Sequence, residues 1–386
     1  MSITREEFLK TTTAAGAAYL LTSLEAFAIN TSAKKIRIGV IGCGSVSGQY
    51  LPHLSKSDYV ELVSVCDIVY ERARNRSAEF KIPNHYPSID KMLAGEPFDL
   101  FVNLTDMQAH ERLNKMALES NHHVWSEKPM ANSYQAGKEL LDLAKSKKLR
   151  IWGAPAVVNS PQFAFMSKSI REGKLGKVSA AHAHYGHLGP TWSAFFYEKG
   201  GGSLPDLGVY NLATLTGLLG PAKSVMAMTS IVTPTRTVDD KGKINVEAED
   251  NTMVLMDHGN GLISHVQCGF NYFDPYGHEG KGQEKHTITI WGTQGNMGLV
   301  GYDWAPFGVD IATLDHEEPQ RFVPDPKEYV WQQGASVISQ ALVENIEPLI
   351  AAEHALHVLE IIEAARESGS TGKKIQLVST FKYPIV

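Results

Sequence analysis

The sequence predicts an α/β protein of two domains, a doubly wound parallel sheet followed by an α+β part with a large, mainly antiparallel, open sheet. Three observations carry this. The chain has 386 residues, more than one ordinary core holds, so two domains are the simplest division. From residue 34 to 155 apolar runs alternate with helical segments at short spacing, as strand–helix–strand units of a parallel sheet do. From 223 to about 323 short alternating segments dominate, among them SVMAMTSIV, NTMVLMDH and HTITIWG, which read as antiparallel strands with one covered face.

In the first domain, strands are expected at 36–41, 60–66, 99–104, 123–126 and 150–153, with helices at about 48–56, 70–80, 108–120 and 133–147. The second domain, 156–386, should open with a helix near 161–172 and the strand-like stretch KVSAAHAHYGHLG. Its end, 336–369, is apolar at helical spacing through Ile338, Leu342, Ile346, Ile350, Leu356 and Leu359, which predicts one or two helices able to pack back on the first domain. Residues 1–33 stand apart. TREEFLK, a weakly apolar run and then Ala26-Phe27-Ala28 resemble a twin-arginine export signal with its cleavage site, although Glu6 stands where the second arginine belongs. A periplasmic protein is expected; the alternative is a cytoplasmic one that keeps an amphipathic N-terminal helix.

Hydrophobic residues make up 43% and charged residues 20% of the chain, and the formal net charge is −6. Nothing in that balance calls for nucleic acid or a membrane surface. No stretch has the roughly 20 apolar residues that span a bilayer. Cys43, Cys66 and Cys268 lack the paired spacing of a zinc site or a disulfide framework.

The most informative stretch is KKIRIGVIGCGSVSG, residues 34–48. Ile36, Ile38, Val40 and Ile41 read as a buried strand cut off by Gly42, Gly44 and Gly48. Glycines let the backbone approach a pyrophosphate, and the start of the following helix offers N–H groups and partial positive charge. Gly42, Gly44, Ser45 and Val46 are the expected contacts. The spacing departs from a strict GxGxxG, with Ser47 in the last glycine position and Gly48 one place later. Asp67 closes VELVSVCD, where a carboxylate accepts hydrogen bonds from both hydroxyls of an adenosine ribose and repels a 2′-phosphate. NAD is therefore expected; NADP, which Arg72 and Arg74 would serve, is the alternative.

Glu127-Lys128-Pro129 follows the fifth strand, at the end of the sheet where ligands sit. A lysine in a surface turn is ordinarily just solvated. One that borders the nicotinamide suits acid–base work on a substrate hydroxyl, and Pro129 would fix the turn that aims it.

GCGSVSG, the strand end VCD, NLTDMQAH, SEKPMA and GGGSLPDLGVY together resemble the glucose–fructose oxidoreductase and inositol dehydrogenase family (Gfo/Idh/MocA) over essentially everything after residue 34. The resemblance implies a Rossmann domain that holds NAD, Lys128 at the catalytic centre, and Thr105, His110 and Glu127 beside the cofactor. For His110 the alternative is a histidine at a helix start bonded to backbone. Asp206, Gly208 and Tyr210 follow the family's D-x-G-x-H-like spacing, with tyrosine where many relatives have histidine. At i and i+4, Asp206 and Tyr210 share a helix face. A phenol, with a pKa of about 10, is a poor base; a neighbouring Lys128 ammonium would stabilise its phenolate. The other reading of Tyr210 is a packed aromatic. The resemblance also places Asn159 in the substrate neighbourhood.

His182 and His184 share a strand face, but a metal needs a third ligand and none is supplied, so no metal is expected. Imidazoles that reach sugar hydroxyls fit better, which makes His184 and His187 substrate candidates. Trp192 could stack on a sugar ring, and Gly200 to Gly202 read as a mobile segment able to cover the site. The expected function is NAD-dependent oxidation of a secondary alcohol of a sugar or sugar derivative, with Lys128 or Tyr210 taking the hydroxyl proton and Asp206 orienting. The alternatives are a glycoside hydrolase that keeps NAD bound and oxidises its substrate transiently, and a non-catalytic NAD-binding protein. A homodimer or homotetramer that buries the open sheet between subunits is implied by the resemblance.

Overall fold

The computed structural model describes residues 34–274, 284–325 and 327–386; the export-signal stretch lies outside them. The first domain comprises β1 (Ile36–Ile41), α1 (Ser47–Leu54), β2 (Val60–Cys66), α2 (Tyr70–Phe80), β3 (Asn84–Tyr86), α3 (Ile89–Leu93), β4 (Leu100–Asn103), α4 (His110–Glu119), β5 (His123–Ser126), α5 (Tyr134–Ser146) and β6 (Ile151–Gly153). Its strands form one parallel sheet in the order β3-β2-β1-β4-β5-β6. The order reverses between β1 and β4, so a crevice opens outside the carboxyl ends of those strands. β1 is buried along nearly its whole length, which is why IRIGVI shows no polar alternation.

The sequence pattern gives no sign of β3 or α3. β3 is only Asn-His-Tyr, and it is a strand because β2 offers it an edge, Ser64 lying opposite Asn84 and Cys66 opposite Tyr86. α3 is five residues, started by Ser88, whose Oγ accepts the Lys91 N–H at 3.4 Å.

The second domain begins with a 3₁₀ turn, Val157–Asn159, and α6 (Pro161–Arg171). Ser160 caps α6, accepting the Phe163 N–H at 3.1 Å, and Pro161 loses no bond at the first position. Then come β7 (Val178–Gly186), a π-turn (Leu204–Gly208) continuous with α7 (Val209–Leu219), β8 (Ser224–Ser230), β9 (Thr235–Val238), β10 (Gly242–Asn245), β11 (Asn251–Gly259), β12 (Leu262–Gly269), β13 (His286–Gly292), β14 (Gly295–Tyr302), β15 (Ala305–Thr313) and β16 (His316–Phe322). A 3₁₀ turn at Trp331–Gln333, α8 (Gly334–Glu344), α9 (Ala352–Thr371) and β17 (Ile375–Gln376) close the chain. The large sheet runs β16-β15-β14-β13-β7-β12-β11-β8-β17, and β9 pairs with β10 apart from it. It is mixed, because β7 and β12 are parallel while its other pairs are antiparallel.

α6, α7 and α9 cover one face of this sheet. Every residue of α7 but Tyr210 is buried, as expected of a helix with apolar residues all round. α8 leans on α1, β1 and β5, and α9 on α5 and β6, so both closing helices also pack on the first domain. The opposite sheet face is uncovered among the described residues. Strand register sets Met226, Leu255, His265 and His182 in one cross-strand row and Met228, Met253, Gln267 and His184 in the next. Met228 is 79% exposed.

This register corrects the expectation for His184. Successive side chains of a strand alternate between faces. Tyr185 takes the covered face, so His182 and His184 lie on the open one, away from the crevice. His182 Nδ1 sits 2.8 Å from His265 Nδ1, one ring donating to the other, and burial, then His265 and His184, holds His182 down at about 4.

Candidate active site

The glycine-rich turn connects β1 to α1. Gly42 has φ +90°, and a Cβ there would lie 2.5 Å from the Leu104 carbonyl carbon and oxygen, so only glycine lets β1 and β4 end this close. Around Gly44, by contrast, a Cβ would meet nothing within 4 Å. The N–H groups of Gly44, Ser45 and Val46 donate to no backbone acceptor among the described residues. An open cradle with free donors at a helix start fits a pyrophosphate. Asp67, 6% exposed, accepts the Cys43 N–H at 2.8 Å and the Val69 N–H at 2.7 Å, and so fixes the turn to the end of β2. Arg76 of α2, which has no motif to mark it, donates to Ser47 Oγ at 3.0 Å behind the turn.

The Glu127-Lys128-Pro129 turn is braced from below. Asn114 of α4 donates through Nδ2 to Ser126 Oγ and to the Met130 carbonyl, both at 2.9 Å, and Asn103 Nδ2 donates to Asn114 Oδ1 at 2.9 Å. Thr105 Oγ1 joins this network by donating to Asn103 Oδ1 at 2.7 Å. His110 is a correction. It is 1% exposed, with Nδ1 2.7 Å from the Pro129 carbonyl and Nε2 2.9 Å from the Thr105 carbonyl, so the ring holds two loops together, the backbone-bonded alternative named for it above. Glu127 is also turned inward, its carboxylate taking the Tyr50 O–H at 2.6 Å and the Lys128 N–H at 3.0 Å.

Lys128 Nζ donates to Asp206 Oδ1 at 2.7 Å and to the Asp206 carbonyl at 2.8 Å, and lies 5.3 Å from the centre of the Tyr210 ring. The Lys128 and Asp206 side chains are 11% and 12% exposed. The π-turn before α7 is what allows this, since it presents both the carboxylate and the carbonyl of Asp206 to one ammonium. Tyr210 is a correction too. Burial, then the charge of Glu127, raises its phenol well above the usual value, and Lys128 sits over the ring face, the arrangement of a packed aromatic and not of a phenolate held by the ammonium. The ring packs edge-on to Tyr185, 6.4 Å away.

α7 is locked by a group the sequence did not mark. Asp303, in the β14–β15 turn and 2% exposed, accepts from Asn211 Nδ2 at 2.9 Å and Thr214 Oγ1 at 3.0 Å. Burial pushes its carboxyl up to about 6. Asn211 and Thr214, i and i+3 on α7, were readable as one polar stripe on an apolar helix, but their partner lies 89 residues or more away.

The substrate candidates are spread out. The His187 ring is 6.0 Å from Tyr185, and its Nδ1 accepts the Gly189 N–H at 2.9 Å. Asn159 ends the first 3₁₀ turn, and its buried Nδ2 has no acceptor among the described residues. Trp192, 47% exposed, packs edge-on against Phe195 and Phe196, and this loop meets the first domain where Gln108 Nε2 donates to the Phe195 carbonyl at 2.8 Å. Gly200 to Gly202 do not form a free flap. Gly202 N–H donates to the Phe196 carbonyl at 2.7 Å, Ser203 N–H to the Glu249 carbonyl at 2.8 Å, and Arg366 holds the Gly201 carbonyl.

Comparisons with known proteins bear on the same two domains. Residues 36–154 match the model for an oxidoreductase family with an NAD-binding Rossmann fold, and residues 163–297 match the GFO/IDH/MocA C-terminal domain. The chain is 22% identical to scyllo-inositol 2-dehydrogenase (NADP(+)) of Bacillus subtilis (strain 168), over 86% of its own length and 96% of that enzyme. It is 23% identical to D-apiose dehydrogenase of Paraburkholderia graminis, over 91% and 92% of the two chains. Its fold is shared with levoglucosan dehydrogenase solved with NADH and L-sorbose, at TM-score 0.77 and 18% identity over 90% of this chain and 100% of that one. With a glycine cradle at the β1–β4 crevice and both family models spanning most of the chain, this protein belongs to the Gfo/Idh/MocA family of dinucleotide-binding oxidoreductases.

Proposed function

We propose that the protein oxidises a secondary alcohol of a sugar or sugar derivative, with NAD as cofactor and Lys128 as the group that takes the hydroxyl proton. The observation that carries this is the pairing of Lys128 with Asp206 at the carboxyl end of β5, beside the crevice that the glycine cradle opens onto. Nicotinamide, when bound, supplies the acceptor for the carbon-bound hydrogen as hydride. Lys128 Nζ passes one of its protons to the Asp206 carboxylate that it meets at 2.7 Å, and the lone pair so freed takes the proton of the reacting hydroxyl. Tyr210, as a protonated phenol, contributes its ring face to the ammonium. His187, Trp192 and Asn159 are the side chains offered to the sugar.

NAD over NADP is favoured by the Asp67 carboxylate at the ribose position, where a 2′-phosphate would meet like charge. Arg74, one of the two arginines that could offset this, is paired with Glu71 at 3.0 Å. In a fluorescence titration NADH should bind at least about tenfold more tightly than NADPH, roughly 1.4 kcal/mol, and a panel of aldoses, inositols and glycosides should yield one class that forms NADH stoichiometrically. Release of an aglycone with no net NADH would replace this reading with redox-neutral hydrolysis. Export through residues 1–33 belongs to the same proposal, and an exported enzyme of this kind would have to keep its cofactor bound.

The open sheet face is the proposed contact between two copies of the chain. Met226, Met228, Met253, Leu255, Ile263 and Trp291 are all exposed there, an apolar surface of the kind that self-association covers. Leu255→Asp with Met228→Asp should convert a dimer to a monomer in light scattering; an unchanged mass would rule this face out.

A further inference from the structure

We infer that Tyr50 is a positioning residue for Lys128, acting through Glu127 to tie the helix of the cofactor cradle to the turn that carries proton transfer. This rests on the reading of Lys128 given above. Tyr50 lies in the first turn of α1 and is fully buried. Its ring meets Trp331 edge-on, with centroids 6.1 Å apart, so the second domain holds it from the other side. Its O–H donates to Glu127 Oε1 at 2.6 Å, and Glu127 Oε2 accepts the Lys128 N–H at 3.0 Å.

The geometry leaves Glu127 dependent on these donors. The carboxylate is 6% exposed, and the Lys128 ammonium, the cation next to it in sequence, is turned away onto Asp206. A buried carboxylate without donors is costly, and an O–H donor at this distance makes a short, charge-assisted bond. Burial, then the Glu127 charge, keeps the Tyr50 phenol well above its usual pKa, so it stays a donor across the working pH range. With Oε1 anchored, Oε2 fixes the Lys128 backbone, and with it the base of the side chain that reaches Asp206. Phenylalanine would keep the packing on Trp331 and lose this anchor. The residue that matters is therefore the hydroxyl, not the ring.

The test is Tyr50→Phe in the full chain, assayed with saturating NAD and the sugar that gives NADH. The expected result is a fall in kcat of about ten- to thirtyfold, with KM for the sugar and the dissociation constant for NADH within about twofold of the parent. Tyr50→Phe combined with Glu127→Gln, which avoids an unpaired buried carboxylate, should show the same kcat deficit. Recovery of kcat in that double variant overturns the inference. So does an unchanged kcat in Tyr50→Phe while Lys128→Met is inactive, or a loss of activity that follows loss of bound NADH. If Lys128→Met itself stays active, the reading of Lys128 fails first, and the two failures are told apart.

Discussion

Lys128→Met should lower kcat about 10³-fold, or about 4 kcal/mol in the barrier, the usual scale for losing a positioned proton-transfer group. It should also lower thermal stability, for a separate reason. Asp206 is 12% exposed and takes its charge partner from Lys128. Removing one partner of a buried pair leaves an uncompensated charge, at a cost of about 3–5 kcal/mol. The two effects can be separated. Lys128→Met with Asp206→Asn should recover most of the melting temperature, since amide and thioether need no counter-charge, while turnover stays lost. Activity within about threefold of the parent in the single variant would remove Lys128 from the chemistry.

Gly42→Ala and Gly44→Ala should fail in opposite ways, although the residues are two apart. At Gly42 an L side chain meets both a positive φ and the Leu104 backbone, which cannot move aside without shifting β4. Strain and overpacking together should cost about 2–4 kcal/mol of stability. At Gly44 the φ is not positive and the space is empty, so alanine should leave the melting temperature unchanged. Its methyl would instead occupy the cradle, and NADH affinity should drop at least about tenfold, measured by titration. If Gly44→Ala binds NADH like the parent, the pyrophosphate does not pass there.

What can be read in a sequence depends on how far apart the interacting groups are. The glycine turn, its helix and Asp67 span 26 residues in one strand–helix–strand unit, and local backbone rules suffice to place them. Strands such as β8 and β11 are similarly visible, because alternation marks a half-covered strand, whereas β14, buried along its middle, and β16, exposed along nearly its whole length, show none. β3 was invisible because a three-residue edge strand exists only through its neighbour. Tyr50 looked like an ordinary apolar residue of α1, and nothing near it announces a carboxylate 77 positions along the chain.

The same distinction separates the site residues. Lys128, Asp206 and Tyr210 were marked by the family resemblance of the SEKPMA turn and of GGGSLPDLGVY, with the i, i+4 spacing putting the last two on one face, and the structure brings the three together. Their protonation behaviour was not legible. Whether Tyr210 gains from Lys128 depends on whether the ammonium meets its oxygen or its ring face, and packing puts it over the ring. His184 was misplaced for a related reason, since a period of two tells which residues share a face but not which face the helices cover. His110 and Asp303 likewise took their roles from partners supplied by other elements. Local backbone chemistry thus laid down the dinucleotide cradle and the strand–helix alternation around it. The faces, the buried partners and the charge state of the tyrosine came from long-range packing, because burial and electrostatics act through space and leave no spacing in the chain.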